Sequence, residues 1–223
     1  MLRVPGVEPV KTRLHPAVGA AAATLLYRCF VLDTLEAAAR RPGLTPVAAF
    51  SPPTAGRAMA ALAPGGLSCV PQRGDDLGAR MANLVEDLLA AGHSAALLTG
   101  TDLPALPGAY LDEAARTLME GVADLVLGPA EDGGYYLIGL TRPAPALFSG
   151  IAWSTADVLE ATRARADALG LRVRLLPSWH DVDTPADLAR LRRQLPAAEE
   201  LMAPGAPAWR TRRWMAAFPG PCL

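Results

Sequence analysis

The chain has 223 residues, 51% of them apolar and 19% charged, which suits a folded domain with one sizeable core and excludes a disordered segment. Its formal net charge of -1 supplies no general pull toward nucleic acid or an anionic membrane, so an anion must be met by a local cluster of charge. No apolar run is long enough to span a bilayer, the first fourteen residues lack a signal peptide's apolar core, and Cys29, Cys69 and Cys222 are scattered and odd in number, so a reducing cytoplasm is expected, with neither a disulfide framework nor a zinc site.

In chain order, Val4 to Leu14 (VPGVEPVKTRL) is rich in Pro and Gly and then basic, and reads as a loop. Lys11 and Arg13 stand two apart. On an extended segment they would face the same way and could clamp a diphosphate, the Arg as a fork and the Lys as a point charge. A solvated basic loop would look the same. From Ala20 to Arg41 the sequence is Ala- and Leu-rich at helical spacing and stops at Pro42-Gly43. Thr45 to Ser51 reads as a strand, Thr54 to Leu62 as a short helix, and Leu67 to Val70 as a second strand. Pro71 to Met81 (PQRGDDLGARM) is a polar turn opening a helix from Leu77 to Ala91. Gln72, Gly74 and Gly78 could lie against a planar base or ribose, although a helix-capping loop has the same composition.

Ala95 to Thr99 is an apolar run of strand length and predicts a buried parallel strand. A glycine turn with one carboxylate, Asp102, follows. In open α/β sheets ligands sit beyond the carboxyl ends of strands, so Asp102 is placed either to hold a hard cation or to cap the next helix. Pro107 to Gly121 is helical and Asp124 to Leu127 a strand. In GPAEDGGYYLIGL (128–140), Asp132, Gly133 and Gly134 make either a hairpin turn or a close approach to a ligand. Ala156 to Leu169 is helical and Arg172 to Leu176 a late strand. In DVDTPADL (181–188), Thr184 and Asp187 match a capping box and Pro185 the first helical position, which leaves Asp181 and Asp183 for chemistry. The alternation predicts a three-layer α/β/α sandwich with a mostly parallel sheet. Dinucleotide and P-loop glycine signatures and the G-x-S-x-G elbow are absent.

The segments VKTRL (10–14), PQRGDDLGARM (71–81), LLTGTDLPALP (97–107), GPAEDGGYYLIGL (128–140), IAWST (151–155) and DVDTPADL (181–188) occur in that order. Together they resemble a bacterial transferase family related to GT-A glycosyltransferases and sugar nucleotidyltransferases. It is associated with radical-SAM and selenium-domain genes and described as an arsenosugar-biosynthesis-type glycosyltransferase. The resemblance covers Val4 to Gln194. It implies a nucleotide-diphospho-sugar transferase fold and a divalent cation, Mg²⁺ or Mn²⁺. It puts Asp102 and Asp183 at the metal, Lys11 and Arg13 at the phosphates, Gln72, Gly74 and Gly78 at the base and ribose, and Asp132, with Gly133 and Gly134, on the acceptor side as general base.

Two departures from that pattern carry expectations. The apolar first strand is missing ahead of the Pro/Gly loop. Residues 1–195 form the transferase domain, and 196–223, with Trp209, Arg210, Arg212, Arg213 and Trp214, form a poorly ordered tail. The expected partners are a nucleotide or nucleotide-sugar and a small-molecule acceptor. The reaction is then metal-dependent glycosyl transfer, nucleotidyl transfer with release of pyrophosphate, or nucleotide binding without catalysis.

Overall fold

The glycine and proline stops become element boundaries in the computed structural model, which describes residues 1–196 and 198–219. The elements in chain order are β1 (Leu2–Arg3), α1 (His15–Val18), α2 (Ala20–Ala39), β2 (Val47–Ser51), α3 (Gly56–Leu62) and β3 (Ser68–Pro71). They continue with α4 (Leu77–Ala90), β4 (Ala96–Thr99), α5 (Gly108–Met119), β5 (Leu125–Pro129), β6 (Tyr135–Leu140), α6 (Val158–Ala168), β7 (Val173–Leu175), α7 (Pro185–Gln194) and α8 (Trp209–Ala217). Strands and helices alternate as the periodicity requires, and the strand pairing is mostly parallel. Among the described residues no helix is long and apolar enough to cross a membrane.

The chain divides into two compact units. The first comprises residues 1–71, 101–106 and 181–223; the second comprises 72–100 and 107–180. In the first, β1, β2 and β3 form a parallel sheet in that order. The expected loss of the first strand is thereby corrected. Leu2 and Arg3 pair with Phe50 and Ser51, and the amide of Val4 extends the ladder by donating to the Ser51 carbonyl at 2.8 Å. Leu2 and Val4 are both buried in the core under α2, with Leu26, Phe30 and Leu191.

The tail is also corrected. Residues 181–223 belong to the first unit, and α8 packs on α2 with Trp214 and Met215 buried. The residue before α8, Ala208, has no side chain with which to cap it. The cap comes instead from Asp33, a buried carboxylate on α2. Its Oδ2 accepts from the Thr211 amide at 2.9 Å and the Thr211 hydroxyl at 2.7 Å, and its Oδ1 accepts from the Arg210 guanidinium at 3.2 Å. A carboxylate is favoured at these unpaired first-turn N–H groups by both hydrogen bonding and the helix dipole. Burial still pushes the Asp33 pKa above its ordinary value, against these hydrogen bonds. Glu36, one turn on, takes the Trp209 indole N–H at 3.2 Å and pairs with Arg210. The expectation for Cys222 lies outside the described residues.

The second unit holds the sheet β4-β6-β5-β7. Here β4 departs from expectation. It pairs antiparallel with β6, Leu98 facing Ile138, and β6 in turn pairs antiparallel with β5, Leu127 facing Ile138. The cause is the Asp-Gly turn. It folds β5 and β6 into a hairpin and inserts β6 between two strands of common direction. β7 restores parallel pairing beside β5.

Removing the distant cap tests whether the C-terminal helix is part of the fold. Asp33→Ala strands the Thr211 and Arg210 donors and is expected to cost about 3 kcal/mol, a melting shift of several degrees. Circular-dichroism melting measures it, and an unchanged midpoint would detach α8 from the stability of this unit.

Candidate functional site

In the first unit the loop that leaves the carboxyl end of β1 is tied in several places. The Val7 amide returns to the Val4 carbonyl at 3.3 Å, His15 Nε2 lies 3.0 Å from the Val10 carbonyl, and the Leu14 amide donates to the Lys11 carbonyl at 2.8 Å. Lys11 itself has φ 51° and ψ 40°, a left-handed conformation uncommon outside glycine. That twist and the short 3₁₀ turn Thr12–Leu14 break the extended geometry assumed for the basic pair. Arg13 is exposed, whereas the Lys11 side chain is turned inward with 3% of its surface accessible. The two basic residues therefore do not form a parallel clamp.

The Lys11 ammonium lies 2.6 Å from Asp102 Oδ1 and 2.8 Å from Asp183 Oδ1. The contact with Asp183 is a hydrogen bond. The contact with Asp102 is an ion pair without hydrogen-bond alignment, since Asp102 Oδ1 is buried with no aligned donor. Burial works to lower the Lys11 pKa, but the two carboxylates outweigh it and hold the value above the ordinary lysine range. The Tyr27 and Phe30 rings lie 5.7 Å from the ammonium and add cation–π attraction.

Each carboxylate is positioned by its own loop. The Val182 amide donates to the Asp102 carbonyl at 3.0 Å, tying the two loops together. Thr101, immediately before Asp102, gives its hydroxyl proton to Tyr27 Oη at 3.1 Å, and the same oxygen accepts from the Arg3 amide at 3.1 Å. Burial raises the Tyr27 pKa. Neither aspartate caps a helix. α5 begins at Gly108, six residues beyond Asp102, and α7 is capped by Thr184, which with Asp187 forms the anticipated capping box. Sequence reading passed over Tyr27 and Thr101, because a tyrosine on an apolar helix stripe looks like core until its hydroxyl partners are known.

The other candidates lie in the second unit. Gln72 is buried, and the loop that follows it caps α4. Asp76 Oδ1 accepts from the Ala79 amide at 2.7 Å and Arg80 Nε donates to the Gly74 carbonyl at 3.0 Å. Gly74, with φ 132°, faces the Ala79 backbone so closely that a Cβ would stand 2.8 Å from it. Gly78 faces the Trp153 ring and the Phe148 carbonyl, where a Cβ would stand 2.6 Å and 2.7 Å away. On the side where a Cβ would stand, both glycines thus meet the protein's own atoms. At the β5–β6 turn, Asp132 is exposed and its Oδ1 accepts from the Gly134 amide at 3.0 Å. Gly133, with φ 89°, abuts Ala156, whose carbonyl oxygen would lie 2.0 Å from an added Cβ, and the Gly133 carbonyl accepts from Leu159 at 2.9 Å. Gly134 has only Asp132 Oδ1 near its open side, 3.2 Å from where a Cβ would be. The candidate residues therefore sort in space. Lys11, Asp102 and Asp183 meet in one unit; Gly78 meets Trp153, and Gly133 meets Ala156, in the other.

Two carboxylate oxygens converging on one cation position, one of them a buried oxygen without an aligned donor, also fit a divalent ion with oxygen ligands. Among the described residues no group of three or more His, Cys, Asp or Glu gathers as a metal site, so Asp102 and Asp183 would be its protein ligands, with phosphate and water completing the shell.

Residues 34–155 match the family described as an uncharacterized protein conserved in bacteria, DUF2064. No protein of curated function matches the sequence. Among solved structures, a protein of Desulfovibrio desulfuricans G20, provisionally described as a nucleotide-diphospho-sugar transferase, is 34% identical. The match covers 97% of this chain and 94% of that one, with a TM-score of 0.83. CMP:2-keto-3-deoxy-manno-octonic acid synthetase, solved with CTP, is 15% identical over 86% of this chain and 94% of its own, with a TM-score of 0.53. Molybdopterin-guanine dinucleotide biosynthesis protein A of Archaeoglobus fulgidus is 12% identical over 86% and 95%, with a TM-score of 0.54. The last two share the fold alone.

Gly78→Ala tests whether that glycine serves packing. The added methyl must displace the Trp153 ring or the Phe148 carbonyl, at a cost of roughly 1–3 kcal/mol. Thermal melting without any ligand is expected to show the loss, and an unshifted transition would reopen Gly78 as a ligand contact.

Proposed function

Since the chain belongs to the DUF2064 family and has the nucleotide-diphospho-sugar transferase fold, we propose that it is a metal-dependent transferase. It moves a sugar from a nucleotide-diphospho-sugar to a small-molecule acceptor. The observation that supports this most is the convergence of Asp102 and Asp183 on one cation position, 2.6 and 2.8 Å from it. One ammonium against two carboxylates leaves the cluster net negative, and a diphosphate arriving without a further cation would be repelled. Asp102 and Asp183 hold that cation, and a bound Mg²⁺ or Mn²⁺ would neutralise the leaving diphosphate. Lys11 is the point charge nearest the phosphates, and Arg13, exposed on the following turn, is available as a fork. Asp132 is the base for the acceptor hydroxyl. Its Oδ1 is engaged by Gly134, so the proton goes to Oδ2. The description of the Desulfovibrio relative, 34% identical, supports the sugar-transfer reading, and nucleotidyl transfer is the second reading.

Calorimetry with a panel of nucleoside diphosphates, with and without Mn²⁺, tests the metal reading. Asp102→Asn and Asp183→Asn are each expected to weaken Mn²⁺-dependent binding roughly tenfold or more, with circular dichroism checking that each variant stays folded, since each also removes a counter-ion of the buried Lys11. Binding that is equally strong without Mn²⁺ would overturn it.

Product analysis tests the reaction. A nucleotide-sugar incubated with acceptors should yield free nucleoside diphosphate, and Asp132→Asn should reduce that yield on the order of a hundredfold while nucleotide binding stays unchanged. Pyrophosphate released from a nucleoside triphosphate would make the protein a nucleotidyltransferase. Full turnover in Asp132→Asn would return Asp132 to the turn alone.

A further inference from the structure

The position between Asp102 and Asp183 is taken by a side chain of the protein. Lys11 places its ammonium within 2.8 Å of an oxygen of each, and these are the two carboxylates assigned to the metal. An ammonium and a divalent ion cannot both stand in contact with the same two oxygens, because neither leaves room for the other and like charges at that distance repel. The Lys11 stem has four rotatable carbons and its ammonium three donors, of which the carboxylates use at most two. Its backbone is held in a left-handed conformation, the kind of local strain that persists where surrounding structure enforces it. The loops on both sides are tied, so a change of partner falls to the side chain.

We propose that the metal site works by exchange. Metal bound to a nucleoside diphosphate enters between Asp102 and Asp183, and Lys11 leaves at least one of them for a phosphate oxygen of the incoming diphosphate. The inference rests on the metal reading given above and adds a specific role. Lys11 keeps the carboxylates neutralised until a nucleotide offers the ammonium another anion. Metal alone binds poorly because it must strip Lys11 of its counter-ions. Metal and nucleotide bind together because each supplies what the other displaces, which is a reciprocal coupling. The alternative is a permanent structural triad in which Lys11 never yields its place.

Titration of free Mn²⁺ by electron paramagnetic resonance, on the full chain and without nucleotide, separates the two. Lys11→Met is expected to bind Mn²⁺ at least tenfold more tightly than wild type, and Lys11→Met combined with Asp183→Asn should lose that gain. A nucleoside diphosphate should strengthen Mn²⁺ binding in wild type and do so far less in Lys11→Met. If Lys11→Met proves unfolded by circular dichroism, the same comparison is read on Lys11→Gln, which removes the charge but keeps a donor on a side chain one bond shorter. Mn²⁺ binding no tighter in the variant than in wild type, with wild type still taking Mn²⁺ alongside nucleotide, overturns the exchange and leaves the metal reading standing. Wild type that takes no Mn²⁺ even with saturating nucleoside diphosphate overturns both.

Discussion

A buried ammonium held between two carboxylates is the constraint from which the first unit follows. Lys11 has 3% of its side chain accessible, and a charge so deeply placed is tolerated only beside opposite charges. Those charges come from far along the chain, with Asp183 lying 172 residues away. Each supplying loop must therefore be fixed, and the surrounding contacts do that. Tyr27 gathers the Arg3 amide and the Thr101 hydroxyl on one oxygen, Val182 ties its loop to the Asp102 carbonyl, and the Thr184–Asp187 box starts α7 directly after Asp183.

The same unit solves a second buried charge differently. Asp33 has no metal-like geometry around it. It meets the first-turn donors of α8, a helix whose own preceding residue cannot cap it. One carboxylate thus completes a helix 178 residues away and anchors the C-terminal segment to α2. The contrast is instructive because both aspartates are acidic residues among apolar neighbours. Asp33 spends its oxygens on fixed backbone and side-chain donors. Asp102 instead gives its Oδ1 to the Lys11 ammonium, 2.6 Å away, a side-chain partner on a four-carbon stem.

Much of the site could be read from residue types, but not the meaning of every motif. Asp102 and Asp183 were singled out as oxygen donors at loop positions, and they do converge. Gly74, Gly78 and Gly133 were equally good candidates for a ligand's close approach. A glycine, however, reports only that something comes near its backbone. Here the near atoms belong to Ala79, to Trp153 and Phe148, and to Ala156. These three glycines, from two of the motifs behind the family resemblance, thus face packing contacts within one unit on the side where a Cβ would stand.

Element type and order were determined by the sequence itself. Helical periodicity, strand-length apolar runs, and Pro, Gly and Thr at the ends act within a few residues, so they can be read one stretch at a time. The alternation of strands and helices, the hairpin at Asp132-Gly133 and the capping box of α7 all belong to this local class. Tertiary structure alone decided that β6 separates β4 from β5, that Leu2–Arg3 is a strand, that the proline- and arginine-bearing C-terminal segment is a packed helix, and that Lys11 turns inward while Arg13 does not. Each of those depends on a partner distant in sequence: a neighbouring strand for the ladder, Asp33 for the helix start, and two remote carboxylates for the ammonium. Local sequence cannot carry the identity of such a partner, because the energy of the contact exists only once the chain has brought both sides together.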